Sequence, residues 1–197
     1  MLIDTEHIHY WMQAIRQSNN PMRTMDAFWQ GQLKSKEWLI GKLESFVYTP
    51  SSIDIHGGWV GVLSSMLFQS NIPVTSIRSV DIDPYCQHVA TMMNKKEEME
   101  NRFQSITADM CKLQPKTDIV INTSCEHLTQ DQYNQWLTNM PTDSLLVLQS
   151  NNYVIPEHIR NASDLEDFKT QCGIDVAWAG ELELPLYTRF MIIGYNV

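Results

Sequence analysis

A chain of 197 residues has room for one domain, and 43% hydrophobic against 19% charged residues excludes a disordered segment. A formal charge of −9 excludes a surface built for general nucleic-acid binding, which needs lysine and arginine to displace phosphate counterions. The four cysteines, Cys86, Cys111, Cys125 and Cys172, include no Cys-x-x-Cys pair, so they give neither common zinc spacing nor a disulfide framework.

The N-terminus, MLIDTEHIHYWM, lacks the basic flank and apolar stretch of a signal peptide, and no apolar run reaches the roughly 20 residues of a membrane span. A cytoplasmic chain without a membrane partner is the expectation. Ile8, Trp11, Met12 and Ile15 recur at helical spacing until Asn19-Asn20-Pro21 breaks the pattern. A second helical stretch starts near Thr24 as N-cap and carries Phe28, Trp29, Leu33, Leu39, Leu43 and Val47, ending at Tyr48-Thr49-Pro50. Residues 1–50 are thus predicted as a helical extension, serving as a lid or an interface, and residues 51–197 as the main domain.

From Ser51 short apolar runs alternate with amphipathic stretches. Ile53 and Ile55 mark a strand, and Val62, Leu63, Met66 and Leu67 the helix after it. Ser76–Ile82 reads as a second strand, followed by a helix with Pro84 at its first position and Tyr85, Val89, Met92 and Met93 on its face. Phe103–Thr107 is a third strand, and Asp118–Asn122, with its continuous Ile119-Val120-Ile121, a strand covered on both faces. Tyr133, Trp136, Leu137 and Met140 form a helix stripe, Leu145–Leu148 a buried strand, and Leu165, Phe168 and Cys172 a last helix. Ile174–Leu184 and Leu186–Tyr195 leave no room for a helix at Pro185 and must pair as an antiparallel hairpin. The predicted fold class is α/β: a doubly wound, mostly parallel sheet of about seven strands with helices on both faces, closed by that hairpin.

Such sheets bind ligands at the carboxyl ends of their strands, where strand order reverses. The first strand runs into Asp54-Ile-His56-Gly57-Gly58-Trp-Val-Gly61, where glycines permit a tight turn and close approach of a ligand. The second ends in Val80-Asp81-Ile82-Asp83-Pro84; a carboxylate there can accept both hydroxyl protons of a ribose, whereas Asp83 better suits a helix start. After the third strand, Asp109 can accept the amino hydrogens of an adenine with Met110 against the ring, or simply cap a turn.

These places together resemble the class I S-adenosylmethionine-dependent methyltransferases, over roughly Ser51 to Val197. The resemblance implies S-adenosylmethionine as cofactor. It assigns the methionine part to Asp54, His56, Gly57 and Gly58, the ribose to Asp81 with Ile82 beside it, the adenine to Asp109 and Met110, and places Asn122 at the cofactor. The family's first turn reads acid-x-Gly-x-Gly-x-Gly; here His56 replaces the first glycine, Gly58 matches the second, and Gly61 falls one place late. The C-terminal hairpin also belongs to the family pattern.

The fourth strand leads through Asn122-Thr-Ser-Cys125 into Glu126-His127-Leu128, which resembles the Glu-His-Leu ending of many small-molecule methyltransferases. Asn122 stands where amino-group methyltransferases carry Asn-Pro-Pro-Tyr, but Thr123-Ser124-Cys125 departs from that motif. Glu126, His127, Asn151 and Tyr153 are the expected catalytic and acceptor residues, with His127 able to remove a proton; capping of the next helix is the alternative for Glu126 and His127. Cys125 has no evident activating partner for a nucleophile. Arg189 of the hairpin can clamp an anionic substrate or pair with one of the many acids. His7, His9, His88 and His158 show no metal spacing beyond the weak His7/His9 pair, so no metal is expected. The expected partner is a small-molecule methyl acceptor. Two other readings stay open: a same-fold enzyme that transfers an aminopropyl or aminocarboxypropyl group from S-adenosylmethionine or cleaves it, and a non-catalytic scaffold.

Overall fold

The computed structural model describes residues 4–196. Seven strands form one sheet: β1 (Ser51–His56), β2 (Val74–Asp81), β3 (Phe103–Thr107), β4 (Ile119–Asn122), β5 (Leu145–Asn151), β6 (Asp175–Glu183) and β7 (Thr188–Tyr195). Their order is β3-β2-β1-β4-β5-β7-β6, with β7 antiparallel to both its neighbours and the remaining pairings parallel. Strand order reverses between β1 and β4, which fixes the ligand crevice at their carboxyl ends.

Among the described residues, eight helices cover the sheet: α1 (Thr5–Gln17), α2 (Pro21–Asp26), α3 (Gln30–Leu43), α4 (Val62–Phe68), α5 (Pro84–Met93), α6 (Lys95–Met99), α7 (Gln130–Thr138) and α8 (Leu165–Cys172). The N-terminal segment makes three helices where the sequence pattern predicts two. Asn20-Pro21 does not merely break α1; it starts α2, with the Asn20 side chain accepting from Arg23 N at 3.1 Å and proline at the first helical position. Thr24, predicted as an N-cap, lies buried inside α2, where its Oγ1 sits 2.6 Å from the Tyr85 hydroxyl. The second strand begins two residues earlier than predicted and stops at Asp81, leaving Ile82 beyond it and 73% exposed.

Strand alternation divides the core in two. Ile53, Ile55, Ile77, Ile121 and Val147 pack on one face with Ala14, Leu39, Leu43 and Val89 of the helices. Val120, Leu146 and Leu148 pack on the other with Tyr133, Trp136 and Phe168. A fully buried leucine or isoleucine is worth about 1.5–3 kcal/mol, so Leu39 and Leu43 alone anchor α3 to the sheet. The N-terminal helices therefore share the sheet's own core.

Candidate functional site

At the carboxyl edge of the sheet lies a cleft of about 810 Å³, within the usual range for small-molecule sites. Its floor begins with the turn after β1. Gly57 has φ +68°, and a Cβ there would run into the Ser124 side chain, so both backbone conformation and space demand glycine. Trp59 adopts φ +49°, uncommon for a bulky residue. Its N–H donates to Asp81 Oδ2 at 2.9 Å, which ties the turn to the end of β2.

Asp81 also accepts from Asp83 N through Oδ1 at 3.0 Å, yet its carboxylate lines the cleft and retains lone pairs for a ligand. Asp83 caps α5 through Tyr85 N and pairs with Arg23 at 2.5 Å, which hold its carboxyl below the usual range. Asp109 combines a capping role, the second of its two sequence alternatives, with a place at the cleft. It caps the 3-10 turn Met110–Lys112 through Cys111 N at 3.0 Å, and it lines the cleft with Met110 and Ile82. Gly57, Gly58, Asp81, Ile82, Asp109 and Met110 are thus brought together on one wall.

Three predicted cofactor residues are not. Asp54 and His56 share the sheet face opposite to Ile55 and are fully buried away from the cleft. Asp54 pairs with its register partner Arg78, and His56 Nδ1 accepts from Trp136 Nε1 at 2.7 Å. The two-residue period of a strand puts them there: if Gly57 opens on the ligand side, the side chains of residues 54 and 56 cannot. Asn122, the register partner of His56, turns its Oδ1 to Ser124 N at 2.9 Å and shapes the following turn without lining the cleft.

The opposite end of the cleft gathers Glu126, His127, Asn151 and Tyr153. Glu126 is buried, and its Oε1 accepts from Asn151 Nδ2 at 2.6 Å and from Arg189 Nη1 at 2.8 Å. Arg189 is the register partner of Asn151 and also donates through Nη2 to Thr123 O at 2.6 Å. Arg189 is therefore held by a structural ion pair, the second of its two sequence alternatives. His127 is exposed on the rim, with Nδ1 3.0 Å from Glu157 O. Cys125 is fully buried, and burial pushes its thiol far up, so it is no nucleophile.

Two contributions escape the sequence pattern. Trp29, Gln32, Ser35 and Lys36 of the N-terminal helices roof the cleft. Lys36 Nζ donates to Gln32 Oε1 at 2.8 Å, and burial, reinforced by the nearby Arg189 charge, lowers its amine to about 7. The rings of Trp29, Tyr187 and Tyr153 form an aromatic row, the two tyrosines 5.4 Å apart between centroids. The Trp29–Tyr187 contact and the approach of Lys36 to Arg189 each span more than a hundred positions, so nothing local in the sequence marks them, whereas Tyr153 is already an expected site residue.

No protein-family model and no curated protein matches the chain. Solved structures do. Magnesium protoporphyrin IX methyltransferase from Synechocystis with bound S-adenosylhomocysteine superposes at TM-score 0.69 and 16% identity, covering 98% of this chain and 95% of that one. The N-methyltransferase NodS from Bradyrhizobium japonicum, also with S-adenosylhomocysteine, gives 0.67 at 11% identity, covering 95% and 98%. Geranyl diphosphate C-methyltransferase from Streptomyces coelicolor gives 0.64 at 8% identity, covering 84% and 76%. The chain has the class I methyltransferase fold. Within that fold the antiparallel β7, inserted between β5 and β6, brings Arg189 alongside Asn151 at the carboxyl edge of the sheet.

Proposed function

We propose that the chain is an S-adenosylmethionine-dependent methyltransferase acting on a small-molecule acceptor. The observation that carries this reading is the convergence of Asp81, Asp109 and the open Gly57-Gly58 turn on one cleft at the reversal of strand order. The residues present suit the cofactor. Asp81 would accept from the ribose hydroxyls, Asp109 from the adenine amino group, and Met110 and Ile82 would cover the ring. The glycine turn would admit the methionine part where a side chain would block it. When bound, the cofactor supplies an activated methyl group on its sulfonium.

The protein's work is then alignment, exclusion of water and proton removal. Glu126, Asn151 and Arg189, linked through Glu126 Oε1, form a wall behind the acceptor space, while Tyr153, Tyr187 and Trp29 offer flat apolar surface. Lys36 is suited to take a proton from the acceptor, since above about pH 7 its amine is neutral. His127, on the rim, is the other candidate for this role.

Incubation with S-adenosylmethionine and a panel of small phenols, amines and carboxylates, followed by mass spectrometry, tests the reading. S-adenosylhomocysteine together with a methylated acceptor is expected. Methylthioadenosine would instead make the chain a donor-side transferase or lyase, and an unconsumed cofactor across the whole panel would favour a scaffold.

A further inference from the structure

The acceptor end of the cleft holds a group of side chains that methyl transfer itself does not require. One ligand atom each from Glu126, His127 and His158 lies within 4.8 Å of the other two, and no other such trio of His, Cys, Asp or Glu occurs among the described residues. We propose that these three residues bind a divalent transition-metal cation of the zinc, cobalt or iron(II) type, whose open positions face the acceptor.

Three features of the arrangement point to a metal. Glu126 is 2% exposed, and while its Oε1 takes hydrogen bonds from Asn151 and Arg189, its Oε2 is buried with no hydrogen-bond partner. A buried carboxylate oxygen left without a partner loses its hydration uncompensated, and a cation beside it removes that cost.

The two imidazoles are also set up as ligands. His127 Nδ1 lies 3.0 Å from Glu157 O and His158 Nδ1 2.7 Å from Tyr153 O. A carbonyl oxygen only accepts, so each Nδ1 carries a hydrogen, which in the neutral ring leaves Nε2 as the nitrogen with a lone pair for a metal. Backbone carbonyls on the distal nitrogen are the usual outer support of a metal-bound histidine. The rings stand edge to face at 4.9 Å between centroids, held by this pairing and by Tyr153 against His158.

The donor set selects the ion. Two imidazole nitrogens and one carboxylate oxygen suit borderline transition metals, whereas magnesium and calcium prefer oxygen alone. Bonds of about 2.0–2.1 Å place ligand atoms roughly 3.4 Å apart, so from a spacing within 4.8 Å the trio must close by up to about 1.4 Å, which small rotations of the exposed His127 and half-buried His158 side chains permit. Arg189 occupies the other carboxylate oxygen and leaves Oε2 to the metal. All three ligands line the cleft, so the remaining coordination positions open into it beside Asn151 and Tyr153. On the methyltransferase reading, on which this last point rests, the metal would hold a hydroxyl or carboxylate oxygen of the acceptor.

The test uses the full chain, stripped with chelator and titrated with Co²⁺ by visible absorption and with Zn²⁺ and Mg²⁺ by calorimetry. One equivalent of Co²⁺ or Zn²⁺ is expected on the order of micromolar affinity, with Mg²⁺ far weaker. His127→Ala and His158→Ala should each weaken it at least about tenfold and change the cobalt spectrum. His9→Ala and His88→Ala, at exposed positions outside the cleft, should do neither. The two ligand histidines are chosen because removing Glu126 also breaks a buried ion pair. Absence of cobalt absorption at millimolar metal, unchanged affinity in both ligand variants, or tighter Mg²⁺ than Zn²⁺ would each overturn the site. S-adenosylhomocysteine binding, measured in parallel with chelator present, reads the cofactor assignment separately.

Discussion

Lys36 and Glu126 show how burial decides what a charged side chain does at this site. Glu126 is buried with Arg189 and Asn151 both within 2.8 Å of its Oε1, and breaking one member of such a buried pair typically costs about 3–5 kcal/mol. Lys36 has no carboxylate partner, only Gln32, and its amine falls from 10.5 to about 7. Between those two values the unfolded chain binds the proton that the folded chain has released, so this group adds stability as pH rises through the window. Below pH 7 the cost of a charged amine in the cleft roof is fully present. Lys36→Met should remove this slope: urea midpoints of the parent should climb relative to the variant from pH 7 to 10, and parallel curves would show a solvated ammonium. If Lys36 is the base, turnover on the true acceptor should rise through about pH 7 in the parent and lose that limb in the variant. Neither Lys36 nor His158 was legible in the sequence. Lys36 gains its character from burial in the cleft roof and, secondarily, from Arg189 on the last strand, and His158 meets His127 because the loop after β5 folds back over the turn after β4. The cleft positions of Asp81 and Asp109 were legible because one closes β2 and the other follows β3 by two residues, where the strand ends deliver the chain to the cleft.

At the scale of elements, the turn between β1 and α4 carries the heaviest constraint. Gly57 and Gly61 have positive φ, Trp59 shares that region, and the Trp59 N–H fixes the turn to Asp81. Gly57→Ala would force a side chain into the left-handed region, at roughly 1–2 kcal/mol, and against Ser124. The variant should stay folded, melt several degrees lower, and bind S-adenosylhomocysteine at least about tenfold more weakly. Full affinity in a calorimetric titration would show that the turn does not approach the ligand. This same turn explains where pattern reading failed. The family motif invited an assignment of Asp54 and His56 to the cofactor, but the alternation visible in Ser-Ile-Asp-Ile-His already put both on the face of Trp136. The strands and helices themselves were readable because their periods differ, and Ile119-Val120-Ile121 is buried on both faces as a continuous run should be. The start of α2 was missed because Asn-Pro ends one helix and begins the next equally well.

For the whole molecule, the fold sets a cleft at the carboxyl edge of the sheet, covered by helices that share the sheet's core. Ala14, Leu39 and Leu43 belong to the same apolar cluster as Ile53 and Ile55, and Trp29, Gln32 and Lys36 of the N-terminal segment line the cleft. Among the described residues no helix is long and apolar enough to cross a membrane. The account stands or falls on what the cleft binds. Calorimetric titration of the full chain with S-adenosylhomocysteine, beside Asp81→Asn, is the direct measurement. Asparagine keeps one acceptor for the turn but loses the charge, and charged hydrogen bonds of this kind are worth roughly 1.5–3 kcal/mol, about ten- to a hundredfold in affinity. The account predicts one binding event in the parent, on the order of micromolar, weakened by that factor in the variant. No heat at millimolar ligand, or equal affinity in both proteins, would contradict it.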